Sequence, residues 1–538
     1  MLTLLAGGRL VDPTQDLDGP GDLWLEDGRI AAPPSPGREP DERHDVTGTV
    51  IMAGGIDIHS HIAGFNVNTA RLLLPEQRSG GGFDAVPACS EIGRLYAAMG
   101  YTLVVEPAIL PHQALQAHLE LACIPFIDKA ILAVAGNEDY LLRLLRGRKG
   151  EAAVADYTAR VLAGARALGV KAINPGGSAA FKANARSFGL DDEVPGYGVS
   201  SRAIMQALQH AVLELGLPHP LHLHCNNLGI PGNVGTALAT IEAAEGLRLH
   251  LAHLQFYAYG TEGQQGFSSA AAQLAEVVNG ARNITADVGQ VMFGQTVTIS
   301  CDTLRQFNSR GQAHPRKWLI YEGDGNGGGI VPYRYRRKNL FNAVQWAAGL
   351  ELFLLIDDPS RLFFTTDHPN GAPFTAYPDL FALLMNRDLR TQWIGTLPEE
   401  AMKVSTLPSI GREYDWSEIA TMTRVGPARL LGLADRGHLA PGARADIAVY
   451  RPQSDRAEMF RNALLVFKDG KLIMREGKIV ATVPGRALTT APGFDAAVDH
   501  RLAAYYEETF GVAHTAFDVP GELAGLLDEP FETVPCRV

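Results

Sequence analysis

Short apolar runs separated by turn residues open the chain. Leu2–Leu5, Arg9–Val11, Leu23–Leu25 and Arg29–Ala31 read as strands, and Asp12-Pro13, Gly19-Pro20 and Asp27-Gly28 read as the turns between them. A Pro-rich, charged connector follows at Pro33–Arg43. The next apolar run, Thr49–Ile58, carries Gly54-Gly55 in its middle and ends in His59-Ser60-His61. From there the pattern changes. Thr102–Glu106, Lys129–Ala135, Gly169–Ile173, Leu221–Cys225, Leu249–Leu254, Asn283–Val288 and Leu362–Thr366 are apolar runs of strand length. Between them lie stretches with apolar residues three to four apart, such as Ser200–Leu215 before Gly216 and Ser268–Asn279 before Gly280. Strands that alternate with helices pair in parallel, and about eight repeats over residues 51–435 predict an α/β fold of the (β/α)8 TIM-like barrel type. A doubly wound sheet is the alternative, but no G-x-G-x-x-G follows the first strand.

Strand patterns return after the barrel. Ala445–Tyr450 is apolar, and Val466–Lys468 and Lys471–Met474 flank Asp469-Gly470, a hairpin signal. Residues 1–50 and 436–485 are therefore expected to share one small composite β domain, interrupted by the barrel. Residues 486–538 form a tail, read as a surface wrap or as a subunit-docking arm.

Composition narrows the picture. A chain of 538 residues, 46% hydrophobic and 20% charged, can build a large core without disulfides. The net charge of −12 argues against a nucleic-acid binder. The five cysteines, Cys89, Cys123, Cys225, Cys301 and Cys536, include no C-x-x-C pair, which fits a reducing compartment. With no signal-peptide pattern and no apolar stretch of about 18 residues, the expectation is a cytoplasmic protein without a membrane segment.

The candidate chemistry lies where the strands end. Residues i and i+2 of a strand face the same side, so His59 and His61 can grip one ion from the mouth of a barrel. Alone, H-x-H is a common accident. Lys171 sits inside the apolar run Gly169–Ile173, where burial disfavours its charge. It is either a snorkelling lysine or a neutral amine carboxylated by CO2, whose two oxygens would bridge two metal ions; Lys182, in a polar stretch, ranks second. His224 is nearer its strand end than His222, which is expected to lie one layer deeper. His253 comes late in the next strand. Asp367 ends Leu362–Thr366 abruptly; it is either a helix cap or a ligand that also serves as general base and acid. The joint order H-x-H, Lys, His, His, Asp is far more specific than its parts. Imidazole and carboxylate donors suit two divalent ions, zinc above all.

These residues carry a resemblance. The barrel, the split β domain and the ligand order resemble the amidohydrolase superfamily. Gly54–Gly64, His222–Gly229, Met292–Thr296 and Thr366–Gly371 resemble more closely the A subunits of formylmethanofuran dehydrogenases and the α subunits of bacterial formyltransferase/hydrolase complexes. The arginine-rich composition, with ten lysines among 47 basic residues, tilts toward the bacterial group. The resemblance implies hydrolysis of an N-formyl amide on a methanofuran-type carrier with release of formate. It also implies a metal site with Asp367 and His253 in catalytic roles, N6-carboxylysine at Lys171, and partners that include a formyltransferase subunit. Arg334, Arg336, Arg337 and Lys338 would then pair with an acidic carrier tail, or else form a solvated loop or a subunit interface. Other readings are an archaeal-type subunit condensing formate with the carrier, a cyclic-amide hydrolase, and a metal-free scaffold subunit.

Overall fold

The computed structural model describes residues 1–74, 85–185, 187–300, 309, 311–312, 329–523 and 530–537; Cys301 and the tail residues 524–529 and 538 lie outside them. Eight parallel strands form the central sheet in chain order: Gly55–Asp57, Tyr101–Ile109, Asp128–Ala135, Gly169–Ile173, Leu221–His224, Leu249–Leu251, Ile284–Asp287 and Leu362–Phe363. Buried on both faces, they read as continuous apolar runs rather than alternating ones; every residue of Asp128–Ala135 is buried. The first and eighth strands meet only beyond their ends, through a parallel bridge between Ser60 and His368 and a His61 N–H bonded to the His368 carbonyl at 2.8 Å. That contact closes the barrel.

The long helix pattern after residue 200 forms as expected. Ser201–Glu214 is capped by the Ser200 hydroxyl, which accepts from the Ala203 N–H at 3.2 Å, and Gly216 follows at φ 59°. The helix expected from Ser268 starts later, at Ala271, because Ser268–Ser269 pairs with Tyr259–Gly260 in a two-stranded ribbon. The strand expected over Leu249–Leu254 stops at Leu251, since His253 takes a left-handed φ of 36°.

A second sheet joins the start of the chain to the segment that follows the barrel. Its order is Lys478–Ile479, Lys471–Arg475, Leu465–Lys468, Ile447–Tyr450, Val50–Ala53, Leu2–Asp12, Leu17–Glu26 and Arg29–Ala31, with Glu42–Asp45 beside Leu2–Asp12. Val50–Ala53 pairs with Ile447–Tyr450, so the early and late segments share a core containing Leu5, Ile51, Ile447 and Phe467. Asp469 and Gly470 both adopt positive φ, the backbone that a two-residue hairpin turn requires. The chain passes from this sheet into the barrel at Gly54-Gly55. A Cβ on Gly54 would collide with Thr102, and one on Gly55 would lie 2.8 Å from the Tyr101 ring.

The tail wraps the barrel. Strand Ala487–Thr489 pairs with the start of Asp128–Ala135, Phe531–Thr533 pairs with it in turn, and helix Ala497–Phe510 packs on helix Glu151–Ala165. No helix among the described residues is long and apolar enough to cross a membrane.

Candidate active site

Five side chains expected at or near strand ends, His59, His61, His224, His253 and Asp367, and Lys171, expected within its strand, line one cavity of about 610 Å³. Asp57, at the end of the first strand, sets up the H-x-H pair. Its buried carboxylate accepts from the His59 N–H at 3.0 Å and from the Tyr96 and Tyr377 hydroxyls at 2.8 and 2.6 Å, and burial pushes its pKa up. His59 is then held at both ring nitrogens, with Nδ1 3.0 Å from Asp287 and Nε2 3.0 Å from Asp367. His61 repeats the arrangement, with Nδ1 3.0 Å from Glu106 and Nε2 3.3 Å from Asp367. Burial opposes the charged form of His61, but Glu106 and Asp367 outweigh it and lift the pKa to about 9.

Asp287 and Glu106 were not singled out in the sequence, and they organise the site. Asp287 accepts from the His253 N–H at 2.9 Å and the Thr365 hydroxyl at 2.8 Å, and lies 3.0 Å from His59 Nδ1 and 3.2 Å from His250 Nε2. Burial alone would raise its pKa; His59 and His250 instead hold it well below the ordinary carboxylate range. Glu106 accepts from the Ile62, Ala63 and Ala108 N–H groups at 2.6, 3.1 and 3.2 Å, fixing the turn after His61. Each was visible as a lone carboxylate late in an apolar strand, the signal that singled out Asp367.

His253 and Asp367 both sit at positive φ, 36° and 51°, in turns that aim their side chains back into the barrel mouth. Gly289 makes room for the first turn, because a Cβ there would collide with His253. Asp367 is steadied by the Asn370 amide, which donates to Oδ2 at 2.9 Å. Against the burial that would raise it, His253, His59 and His61 keep Asp367 ionised. Ligand atoms of His59, His253 and Asp367 all fall within 4.8 Å of one another, close enough to hold one metal ion. The His224 and His253 rings meet edge to face at 4.6 Å.

Lys171 is 1% exposed, its Nζ has no hydrogen-bond partner among the described residues, and burial pulls its pKa from 10.5 to about 8. Lys182 lies on helix Gly177–Lys182 at the exposed rim of the same cavity. His222 is fully buried behind the site, with Nε2 3.1 Å from His59 Nδ1. The four basic residues lie apart from the cavity lining. Arg334 is on the ribbon Gly329–Tyr335, Arg336 is exposed just beyond it, the Arg337 guanidinium stacks 3.8 Å over Trp393, and Lys338 donates to the Thr396 carbonyl at 2.7 Å.

Residues 43–480 match the family model described as Amidohydrolase family. The chain is 51% identical to the A subunit of the formyltransferase/hydrolase complex of Methylorubrum extorquens, with 100% of each chain covered. It is 35% identical to protein FwdA of Methanocaldococcus jannaschii, covering 90% of this chain and 89% of that one. Among solved structures, the M. extorquens complex crystallised with methylofuran contains a chain that superposes with a TM-score of 0.94 at 50% identity, covering 100% of both. The N-acyl-D-glutamate deacylase of Bordetella bronchiseptica superposes at 0.53 with 17% identity, covering 90% of this chain and 98% of that one, a likeness of fold alone.

Proposed function

Because the chain belongs to the amidohydrolase family, we propose that it hydrolyses the formyl amide of a methanofuran-type carrier and releases formate, as the catalytic subunit of a formyltransferase/hydrolase complex. The observation that carries this reading is Lys171, a buried amine without a hydrogen-bond partner among the described residues, lining the same cavity as His59, His61, His224, His253 and Asp367. An isolated buried ammonium is costly, and a pKa near 8 leaves part of the amine neutral at physiological pH. A neutral amine adds CO2, forming an N–C bond and releasing a proton, and the product is an anionic two-oxygen donor where one is needed.

His59, His61, His224, His253, Asp367 and a carboxylated Lys171 would hold two divalent ions, which we take to be zinc. Such a pair, when bound, polarises a carbonyl and activates water near neutral pH. The chain's own part follows from its geometry. Asp287 and Glu106 face the Nδ1 atoms of His59 and His61, which leaves both Nε2 atoms turned inward. Asp367, ionised and oriented by Asn370, takes a proton from the attacking water and returns it to the departing amine nitrogen. His253, fixed by its turn and by Asp287, or a bound metal ion would steady the charge that develops on the carbonyl oxygen. We place the protein in the cytoplasm, since the described cysteines form no disulfide.

The test is formate release from the formylated carrier, with and without Asp367→Asn. The reading expects turnover by the wild type, none on hydantoin or dihydroorotate, and a variant slower by about 10²–10⁴-fold that still retains metal. A wild type that releases no formate refutes the hydrolase; a variant within threefold of wild type refutes the role of Asp367.

A further inference from the structure

The formyl group is two heavy atoms, whereas the cavity measures about 610 Å³, so it has room for much more of the substrate than the group that reacts. Its buried end holds the candidate ligands. Part of its open end is a chain of aromatic rings: Tyr157 to Tyr140 at 5.3 Å, Tyr140 to Tyr505 at 5.0 Å, Tyr505 to Phe510 at 5.8 Å and Phe510 to Tyr506 at 5.4 Å. All five line the cavity, and three belong to the tail helix Ala497–Phe510. Phe510 is 57% exposed, an apolar ring presented to water at the mouth.

The helix is pinned rather than loosely laid. Arg160, 8% exposed, bonds Asp499 at 2.6 Å and grips both oxygens of Asp518 at 2.9 and 2.7 Å. The Tyr505 hydroxyl donates to Asp139 at 2.7 Å, tying the ring wall to the first residue of helix Asp139–Arg146, which follows the third barrel strand. Side chains fixed in this way offer ring faces at little ordering cost, and offset or edge-to-face contacts with a flat ring are favoured over contacts with a saturated one.

Resting on the hydrolase reading, we propose that the tail helix completes the substrate site and selects formylated amines that carry flat rings remote from the scissile bond. The tail is then a specificity element of this chain's own cavity, with Tyr505, Tyr506 and Phe510 as its contacts.

The probes are N-formyl-4-phenylbenzylamine and its fully saturated bicyclohexyl counterpart, offered to the metal-loaded full chain and to a Tyr506→Leu/Phe510→Leu double variant. The wild type is expected to prefer the aromatic amide at least tenfold in kcat/KM, and the double variant to lose at least fivefold of that preference, mainly through KM. Calorimetric titration of both amides into the Asp367→Asn protein reads the same preference without turnover. Failure of hydrolysis with the binding preference intact therefore falls on the proposed reaction and leaves the ring wall standing. Equal affinity for the two amides when the ring wall is intact, or a preference unchanged in the double variant, overturns the proposal.

Discussion

Replacing Asp287 with asparagine isolates what its charge does. The carboxylate serves four donors through two oxygens: the His253 N–H and Thr365 hydroxyl at Oδ1, and His59 and His250 at Oδ2. An asparagine whose carbonyl stays on the first pair presents its NH2 to the two imidazoles. Two charge-assisted bonds, at about 1.5–3 kcal/mol each, are then lost. To accept from the new NH2, His59 must move its ring proton from Nδ1 to Nε2, the nitrogen that faces Asp367 and would hold metal; to keep the proton on Nδ1 it must turn it to His222 Nε2, 3.1 Å away, and give up the carboxylate. The penalty therefore falls on metal affinity, where loss of such a supporting partner typically costs 10–100-fold. Asp287→Ala is more severe, because it leaves four buried donors unmet at about 1–3 kcal/mol each, enough to compromise the fold. Competition for zinc against a chromophoric chelator gives the affinity, and unfolding midpoints give the stability. The expected pattern is a folded Asn variant with 10–100-fold weaker zinc binding and an Ala variant that is strongly destabilised. An Asn variant with wild-type affinity would show that Asp287 does not govern the His59 tautomer.

Lys171→Ala should lose bound metal and formate release together, and millimolar propionate, a carboxylate of similar reach, should restore part of both; full metal content in the untreated variant would rule out a bridging role. Burial holds His118 neutral, its pKa drawn from 6.5 down to about 4, so the unfolded chain binds the extra proton between those values and stability present above pH 6.5 is lost as pH falls toward 4. At about 1.4 kcal/mol per pH unit the whole effect is roughly 3 kcal/mol, with about 2 kcal/mol of it gone by pH 5. His118→Asn should show a correspondingly smaller difference between unfolding at pH 7.5 and pH 5, and an unchanged difference would contradict this. Arg436, 4% exposed, binds Asp128 at 3.0 Å and Glu532 at 3.1 Å where the small β sheet, the barrel and the tail meet, so Arg436→Ala should cost about 3–5 kcal/mol. Breaking the exposed Arg9–Asp18 pair by Arg9→Ala should cost less than about 1 kcal/mol in the same denaturation experiment.

The barrel and the six converging side chains were legible because each rests on local pattern: an apolar run sets a strand, the residue at or near its end faces the mouth, and Lys171 stands out as a lone charge inside such a run. The same rule would have reached Glu106 and Asp287, but a lone acid in an apolar strand carries no visible partner until the histidines it faces are placed. Strand lengths were less legible. Leu249–Leu254 shortens to Leu249–Leu251 because the turn that aims His253 depends on Gly289, 36 residues later. The ring wall was hidden for a stronger reason. Tyr140 and Tyr505 are 365 residues apart and meet where Arg160 and the Tyr505–Asp139 bond fasten the tail helix to the barrel. The basic run at Arg334–Lys338 shows the converse: a charge cluster conspicuous in sequence is partly spent on local contacts, with Arg337 stacked on Trp393.

The seam of the barrel has a thermodynamic consequence. The first and last strands are fastened by Ser60 and His368, and those residues adjoin His59, His61 and Asp367. An ion clasped by these three neighbours would buckle the ring at its closing seam, stapling the beginning of the barrel to its end. Loading metal and locking the architecture would then be a single event, and protein stripped of metal should first come apart along this line, where exchange of the His61 amide with solvent would report the opening.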